Sequence, residues 1–243
     1  GVSMALGPIL GGTLVSFVDW RAIFWVNIPV GLIAILLTLR FIPESKAAKP
    51  RRFDPAGQLL VLVMLASVTY GISEGPNLGW SSTAIVGAFA ASALALAGLL
   101  FHEPRREEPL IDLRFFRSIP FSSSIVILIA AFASFGGFLF LSTLYLQEVR
   151  GLSPVHAGLV TVPMAVMMVA FSPVSGRMVG HRGPRLPLVI AGICSILACA
   201  MLTGLGPGTP FAWLIAAYVI FGIGMGFVNA PVTNAAVSGM PRA

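Results

Sequence analysis

Few side chains in this sequence could do chemistry, and their placement restricts what that chemistry can be. The nine carboxylates are Asp19, Glu44, Asp54, Glu74, Glu103, Glu107, Glu108, Asp112 and Glu148. Each falls between long apolar runs or at the edge of one. Acid–base work inside a membrane needs a titratable group within a span, and no run holds a carboxylate at its centre. No run contains a lysine or a His–carboxylate pair either, so the constellations of a membrane-embedded enzyme are missing and none is expected. His156 stands alone at the start of a run and suits a helix cap or an interface. Neither a metal nor another cofactor is expected. Cys194 and Cys199 share one run and read as two small buried hydrophobes rather than a disulfide or zinc framework.

Two other groups of residues carry more. Ser3, Gly7 and Gly11 are four apart, on one helix face, where small residues let two helices touch backbone to backbone. Pro8 sits in the same stretch, Gly7-Pro8-Ile9-Leu10-Gly11-Gly12, and removes a backbone donor. Polar, aromatic and Met side chains lie inside other runs: Phe135, Tyr145 and Gln147; Met164; and Asn229, Thr233 and Asn234. Aromatic and Met side chains suit greasy, variable ligands because they stack and repack. Unpaired amides in hydrocarbon are expensive, so the last trio signals either a binding cavity or hydrogen bonds between helices.

The elements that must position these residues follow from composition. The chain has 243 residues, 57% hydrophobic and only 10% charged, and its mean hydropathy is +0.93. A soluble domain carries about 25% charged residues. An integral membrane protein is implied, and a secreted, cytosolic or nucleic-acid-binding protein is excluded. The net charge of +6 comes from short basic clusters between apolar runs, as in membrane loops. The gaps between charges bound eight spans: 1–18, 22–39, 55–73, 83–101, 122–146, 155–176, and two in 186–241 divided by the turn Gly206-Pro207-Gly208-Thr209-Pro210. A spanning helix needs about 20 mostly apolar residues. The runs are continuously apolar and too long for the alternating segments of a barrel, so the fold is all-α. Leu110 to Arg117, with Phe115 and Phe116, reads equally as a linker or as a short amphipathic helix on the inner leaflet.

Several stretches resemble one family. Gly7-Pro8-x-x-Gly11-Gly12 is similar to motif C of the antiporter branches of the major facilitator superfamily, with Ser3 where a further glycine usually stands. Trp20 to Gly31 resembles the link from the fifth to the sixth helix of its fourteen-helix drug:proton antiporters. Phe53-Asp54-Pro55-Ala56-Gly57, Gly71-x-x-x-Gly75 and Gly79-Trp80-Ser81 resemble that group's extra central helix pair. Pro109 to Arg117 resembles the entry to the second half, and Tyr145-Leu146-Gln147 with Gly151 to Gly158 the turn that follows. Residues 176–185 resemble the second-half copy of motif A in Gly176, Gly183 and Arg185, but Gly180 replaces the acid and His181 the arginine. Tyr218-x-x-x-Gly222-x-Gly224-x-Gly226 resembles motif B with Tyr218 in place of an arginine. The ordered set runs the length of the chain.

The resemblance implies eight helices of an incomplete two-bundle transporter, a fragment from about the fifth to the twelfth helix. Residues 1–42 would be the last two helices of the N-terminal bundle, 43–120 the extra pair with its cytoplasmic linkers, and 121–243 the first four helices of the C-terminal bundle. It implies proton-coupled export of small hydrophobic or cationic compounds, with a transporter of another solute (siderophore, sugar or amino acid) as the alternative. Protons, a small-molecule substrate and the lipid bilayer are the implied partners. The motif C residues Gly7, Pro8, Gly11 and Gly12 would pack against the opposite bundle, and Gly176, Gly183 and Arg185 would belong to a cytoplasmic gating loop. Phe135, Tyr145, Gln147, Met164, Asn229, Thr233 and Asn234 are the cavity candidates. The coupling carboxylates would lie in helices before this chain, and Glu148 reads as an outer-interface residue near Arg150. Charged rings and filter repeats, which a channel would need, are absent.

Orientation in a bacterial inner or plasma membrane follows from Lys and Arg. Arg21 and Arg150 are the basic residues of the odd-numbered loops, and the other thirteen of the fifteen lie in even-numbered loops or at the C-terminal end. Those loops and that end are therefore expected on the cytoplasmic side. Single cysteines at Lys49, Glu107 and Arg182 should react with a membrane-impermeant maleimide only from the cytoplasm, and ones at Asn77 and Thr209 only from outside. Labelling of positions 77 and 107 from one face would rule out this topology.

Overall fold

A computed structural model describes residues 2–44, 54–106, 109 and 112–238. Lys46, Lys49, Arg51, Arg52, Phe53, Glu107, Glu108, Leu110, Ile111 and Arg242 lie outside them. Ten α-helices are defined among the described residues: α1 (Val2–Phe17), α2 (Ala22–Trp25), α3 (Asn27–Phe41), α4 (Pro55–Leu78), α5 (Thr83–His102), α6 (Ile119–Leu144), α7 (Pro154–Arg182), α8 (Arg185–Leu202), α9 (Phe211–Gly226) and α10 (Asn229–Ser238). No strand occurs among them. Seven stretches are long and apolar enough to cross a membrane, with α2–α3 and α9–α10 each forming one. The eighth expected span is α1, whose 16 residues fall short of a full crossing length. The stretch read as either a linker or a short amphipathic helix is, in its described part, a five-residue 3₁₀ turn, Leu113–Arg117.

The chain divides into two compact units, residues 1–42 with 118–243, and residues 43–117. The smaller unit is the hairpin of α4 and α5. Asp54 precedes Pro55 and caps α4, accepting a hydrogen bond from Gly57 N at 3.1 Å. Such a cap satisfies one of the backbone donors that every helix leaves open at its start. Gly79, at φ +85°, ends α4 in the left-handed region that glycine tolerates. Ser82 then caps α5. The two helices close on small residues: a Cβ on Gly71 would meet the Phe89 ring at 3.0 Å, and Ser92 Oγ donates across the pair to Met64 O at 3.0 Å.

The larger unit has its core among α6, α7, α8, α9 and α10. Phe138, Met164, Met168, Leu214, Tyr218, Phe221 and Met225 are buried there. The Phe138 and Phe221 rings stack with centroids 3.8 Å apart, and the Tyr218 ring meets Phe138 edge-on at 5.5 Å. Glycines set how closely α9 approaches its neighbours. A Cβ on Gly222 would collide with the backbone carbonyl of Met164, and one on Gly226 would lie 3.0 Å from Met168 O. Gly224, two residues round the helix, turns to α8, where a Cβ would lie 3.1 Å from Ala191 O. The α9–α10 span is broken at Phe227–Val228. Pro231 explains the break, because it has no N–H for Phe227 O and its ring crowds that carbonyl. Pro163 and Pro173, by contrast, lie inside the continuous 29-residue α7. The outer faces carry large apolar residues such as Leu94, Ile119 and Leu39, exposed by 73–79%, as lipid-facing residues are.

Gly222→Ala should destabilise the protein by about 1–3 kcal/mol, because the added methyl meets backbone that cannot rotate away. Gly192→Ala, in open space on α8, should be neutral or slightly stabilising, since alanine favours helix. Thermal melting of the two purified variants checks the pair; equal midpoints would contradict the close α7–α9 approach.

Candidate functional site

The best-defined arrangement for a transport role is the seam between α1 and α7. These helices pack against each other within the larger unit. A Cβ on Gly12 would lie 2.8 Å from Pro154 O, 3.1 Å from its carbonyl carbon and 3.2 Å from Val155 Cα. Gly12 therefore touches the backbone at the start of α7. Gly7 and Gly11 meet nothing within 4 Å. Pro8 lies within α1, and its side chain is outside the described residues. Of the Ser3–Gly7–Gly11 face predicted to make the contact, the Ser3 side chain lies outside the described residues and Gly7 and Gly11 stand clear: the close approach belongs to Gly12.

Gly11 instead helps to line a crevice of 310 Å³. Its walls come from Gly12 and Val15 of α1, from Leu139 and Thr143 of α6, from Gln147, and from Ala157, Gly158 and Thr161 of α7. Gln147 lies in a wide π turn, Tyr145–Val149, that continues α6. Such turns insert an extra residue into a helix and are frequent at functional sites. The turn separates two cavity candidates. Gln147 faces the crevice, while Tyr145 lines a second recess of 540 Å³ with Ser134, Phe138, Ser142, Cys199 and Leu205. Tyr145 also donates its hydroxyl to Gly206 O at 2.7 Å. Arg150 donates to Thr209 O at 2.6 Å and lies 4.4 Å above the Phe211 ring. Together they fasten the end of α6 to the loop between α8 and α9.

The other candidates are dispersed. Met164 is 3% exposed and belongs to the core. Phe135 is half-buried and stacks near Phe221, 6.4 Å between centroids. Asn229, Thr233 and Asn234 are exposed on α10, which packs on α6, α7 and α8. In the resembled gating loop, Gly183 has φ +76° and ends α7, its N–H bonded to Val179 O at 3.0 Å. Gly176 stands in open space, and Arg185 is exposed at the start of α8 without an ion pair among the described residues. His156 pairs Nδ1 with Ser153 Oγ at 2.7 Å, and its N–H bonds the same hydroxyl, which caps α7. No group of three metal-ligating side chains occurs among the described residues. The described carboxylates lie near helix ends or between helices.

The family model for the Major Facilitator Superfamily matches residues 1–243. The chain belongs to the Major Facilitator Superfamily. It is a multi-pass membrane protein. It is 37% identical over 249 residues to the tetracenomycin C resistance and export protein of Streptomyces glaucescens, covering 99% of this chain and 45% of that one. It is 32% identical over 240 residues to the multidrug resistance protein Stp of Mycobacterium tuberculosis, covering 99% of this chain and 44% of the relative. The methylenomycin A resistance protein of Streptomyces coelicolor is 33% identical over 241 residues, 97% of this chain and 49% of its own length. The chain thus spans about half the length of the curated relatives it matches. These superfamily relatives are named for resistance and export.

Two features near this site had no clear signal in the sequence. One is the π turn, since Tyr145–Val149 has no residue that forces an extra backbone step. The other is the fastening of Arg150 to Thr209, which joins positions far apart in the chain. In a variant with Cys194 and Cys199 changed to Ala, cysteines at Gly12 and Val155 should cross-link under mild oxidation, because the geometry brings them within disulfide reach. Cysteines at Gly7 and Val155 should not. Peptide mass spectrometry reads both, and equal yields would contradict the placement of α1.

Proposed function

We propose that the full-length protein is a secondary active transporter that exports small hydrophobic or cationic compounds in exchange for protons. The observation that carries this reading is the naming of relatives at 32–37% identity, aligned over nearly all of this chain, for export and drug resistance. The seat of Gly12 on Pro154 adds support, since it joins the motif C helix to a helix assigned to the other bundle. Family membership favours a carrier over an enzyme.

In this reading α1 and α7 form part of the seam on which the two bundles rock. The chain's own residues bind and position. Gln147 and Thr143 offer hydrogen bonds at the crevice, while Gly11 and Gly12 leave it room. Asn229 and Thr233, four apart on α10, offer polar contacts on one helix face. Tyr145 and Arg150 hold the outer end of α6 on the α8–α9 loop. At the cytoplasmic junction of α7 and α8, Gly183 supplies the left-handed turn, Arg185 begins α8, and Gly176 lies within the last two turns of α7 rather than in a loop. The described carboxylates sit away from span centres, so proton coupling falls to helices outside this chain. The protein sits in the cell membrane with its even-numbered loops and the C-terminal end of this segment in the cytoplasm.

Cells expressing the full-length protein should extrude ethidium, and a protonophore should abolish the extrusion. Gly12→Val should reduce efflux severalfold at unchanged membrane abundance, because a branched side chain lifts α1 from α7. Efflux that persists without a proton gradient would refute the coupling. Normal efflux by a normally abundant Gly12→Val protein would refute the role of the seam.

A further inference from the structure

The crevice beside the α1–α7 seam holds one polar group that the fold leaves unengaged. Gln147 is half-buried on its wall, and its side-chain amide makes no hydrogen bond among the described residues. The polar groups around it are engaged. Tyr145, on the other side of the π turn, donates its hydroxyl to Gly206 O at 2.7 Å, and Thr161 donates its own to Gly158 O at 2.7 Å. Thr143, one turn before Gln147 on α6, adds an exposed hydroxyl to the same wall. The rest of the lining is aliphatic side chain and backbone. Among the described residues that form it there is no charged side chain and no aromatic ring.

An amide held away from bulk water without a partner is costly. Water can satisfy it in a crevice of 310 Å³ with a polar wall. A molecule that enters displaces that water, and it must replace the lost hydrogen bonds or bind weakly. The amide carries both donors and an acceptor, so it can pair with a carbonyl or with a hydroxyl. A cation gains nothing comparable: it finds no carboxylate to neutralise it and no ring face to rest on, while it gives up its hydration. We propose that this crevice binds uncharged, largely apolar molecules that carry a carbonyl or hydroxyl group, and that Gln147 recognises that group. The inference rests on the transport reading above and narrows it: the crevice serves the uncharged compounds, and cations must be held elsewhere. Its volume lies at the lower end of the range of about 300–1,000 Å³ for ligand pockets, which suits a compact molecule or one end of a larger one.

The test is equilibrium dialysis of the full-length protein in detergent against tritiated 9-fluorenone and tritiated fluorene, with protein-free micelles as the blank. The two probes share one flat shape and differ at a single carbonyl. The protein should bind 9-fluorenone about two- to tenfold more tightly than fluorene, the net effect of one hydrogen bond. Equal affinities overturn the proposal. Gln147→Leu should bring the two affinities together. A side chain that only supports the fold would weaken both probes alike and preserve their ratio, which overturns the role of Gln147. Should Gln147→Leu not fold, Gln147→Met keeps the side chain's length, removes the amide and must give the same convergence. Excess ethidium should leave 9-fluorenone bound to the unaltered protein, and its displacement overturns the exclusion of cations. Dialysis needs no proton gradient, so it is independent of the transport test. A protein that prefers 9-fluorenone but extrudes ethidium without a gradient supports the crevice assignment and refutes the exchange with protons.

Discussion

Hydrocarbon removes the force that ordinarily brings helices together. Lipid tails are as apolar as leucine, so apolar faces gain little by meeting, while every backbone polar group must be bonded within its own segment. What remains is close approach. In this chain that approach is made by backbone at glycine. Gly222 and Gly226 let α9 rest on the carbonyls of α7, Gly224 lets its opposite side rest on α8, and Gly12 lets α1 rest on the first residues of α7. All but Gly224 use α7, which is thereby the strut to which both motif-bearing helices are fitted. Its small residues Ala157, Gly158 and Ala165 are buried, consistent with neighbours on several sides.

Much of this was legible in the residue order. The long uncharged runs required helices, and helices form along them. The glycine spacing in 222–226 marked a close-packing helix, and the motif series placed the chain in its superfamily. The details that failed to show have physical causes. Small residues four apart define a helix face, but the partner's direction decides which of them it meets, so Gly12 rather than Gly11 took the contact. A Met at helical spacing looks the same whether it lines a cavity or fills a core, and Met164 fills the core. Pro163, Pro173 and Pro231 all lie within apolar spans, and each could break its helix. The one whose upstream turn is weakened by Gly224 and Gly226, Pro231, broke its helix among the described residues, because glycine adds little helix preference to oppose the break.

Polar contacts occupy the complementary positions. Tyr145 to Gly206, Arg150 to Thr209 and Asp54 to His102 and Arg106 all lie at helix ends. At such depths water is near enough to solvate an opened bond, so the cost of breaking it is small beside the same loss at a span centre. Glycine contacts fix how deep two helices sit; the end contacts fix their rotation and register. The two kinds differ in how they respond to change. A glycine seat is lost whenever a side chain is added, whatever the conditions, whereas an end contact built on charge responds to pH and salt.

This division bears on where motion is feasible. The α7–α9 seam closes at Gly222 and Gly226 and is flanked by stacked rings, Phe138 on Phe221, so separating these helices would open a close-packed core. The α1–α7 seam closes tightly at Gly12, while Gly7 and Gly11 stand clear and a crevice with Thr143, Gln147 and Thr161 on its walls lies beside it. The α1–α7 seam is nonetheless as extensive as the contact of α8 with α9, and Gly12 marks one close approach along it. The crevice therefore opens beside a packed contact rather than inside a loose one, so Thr143 and Gln147 are within reach of water or ligand without the two helices parting.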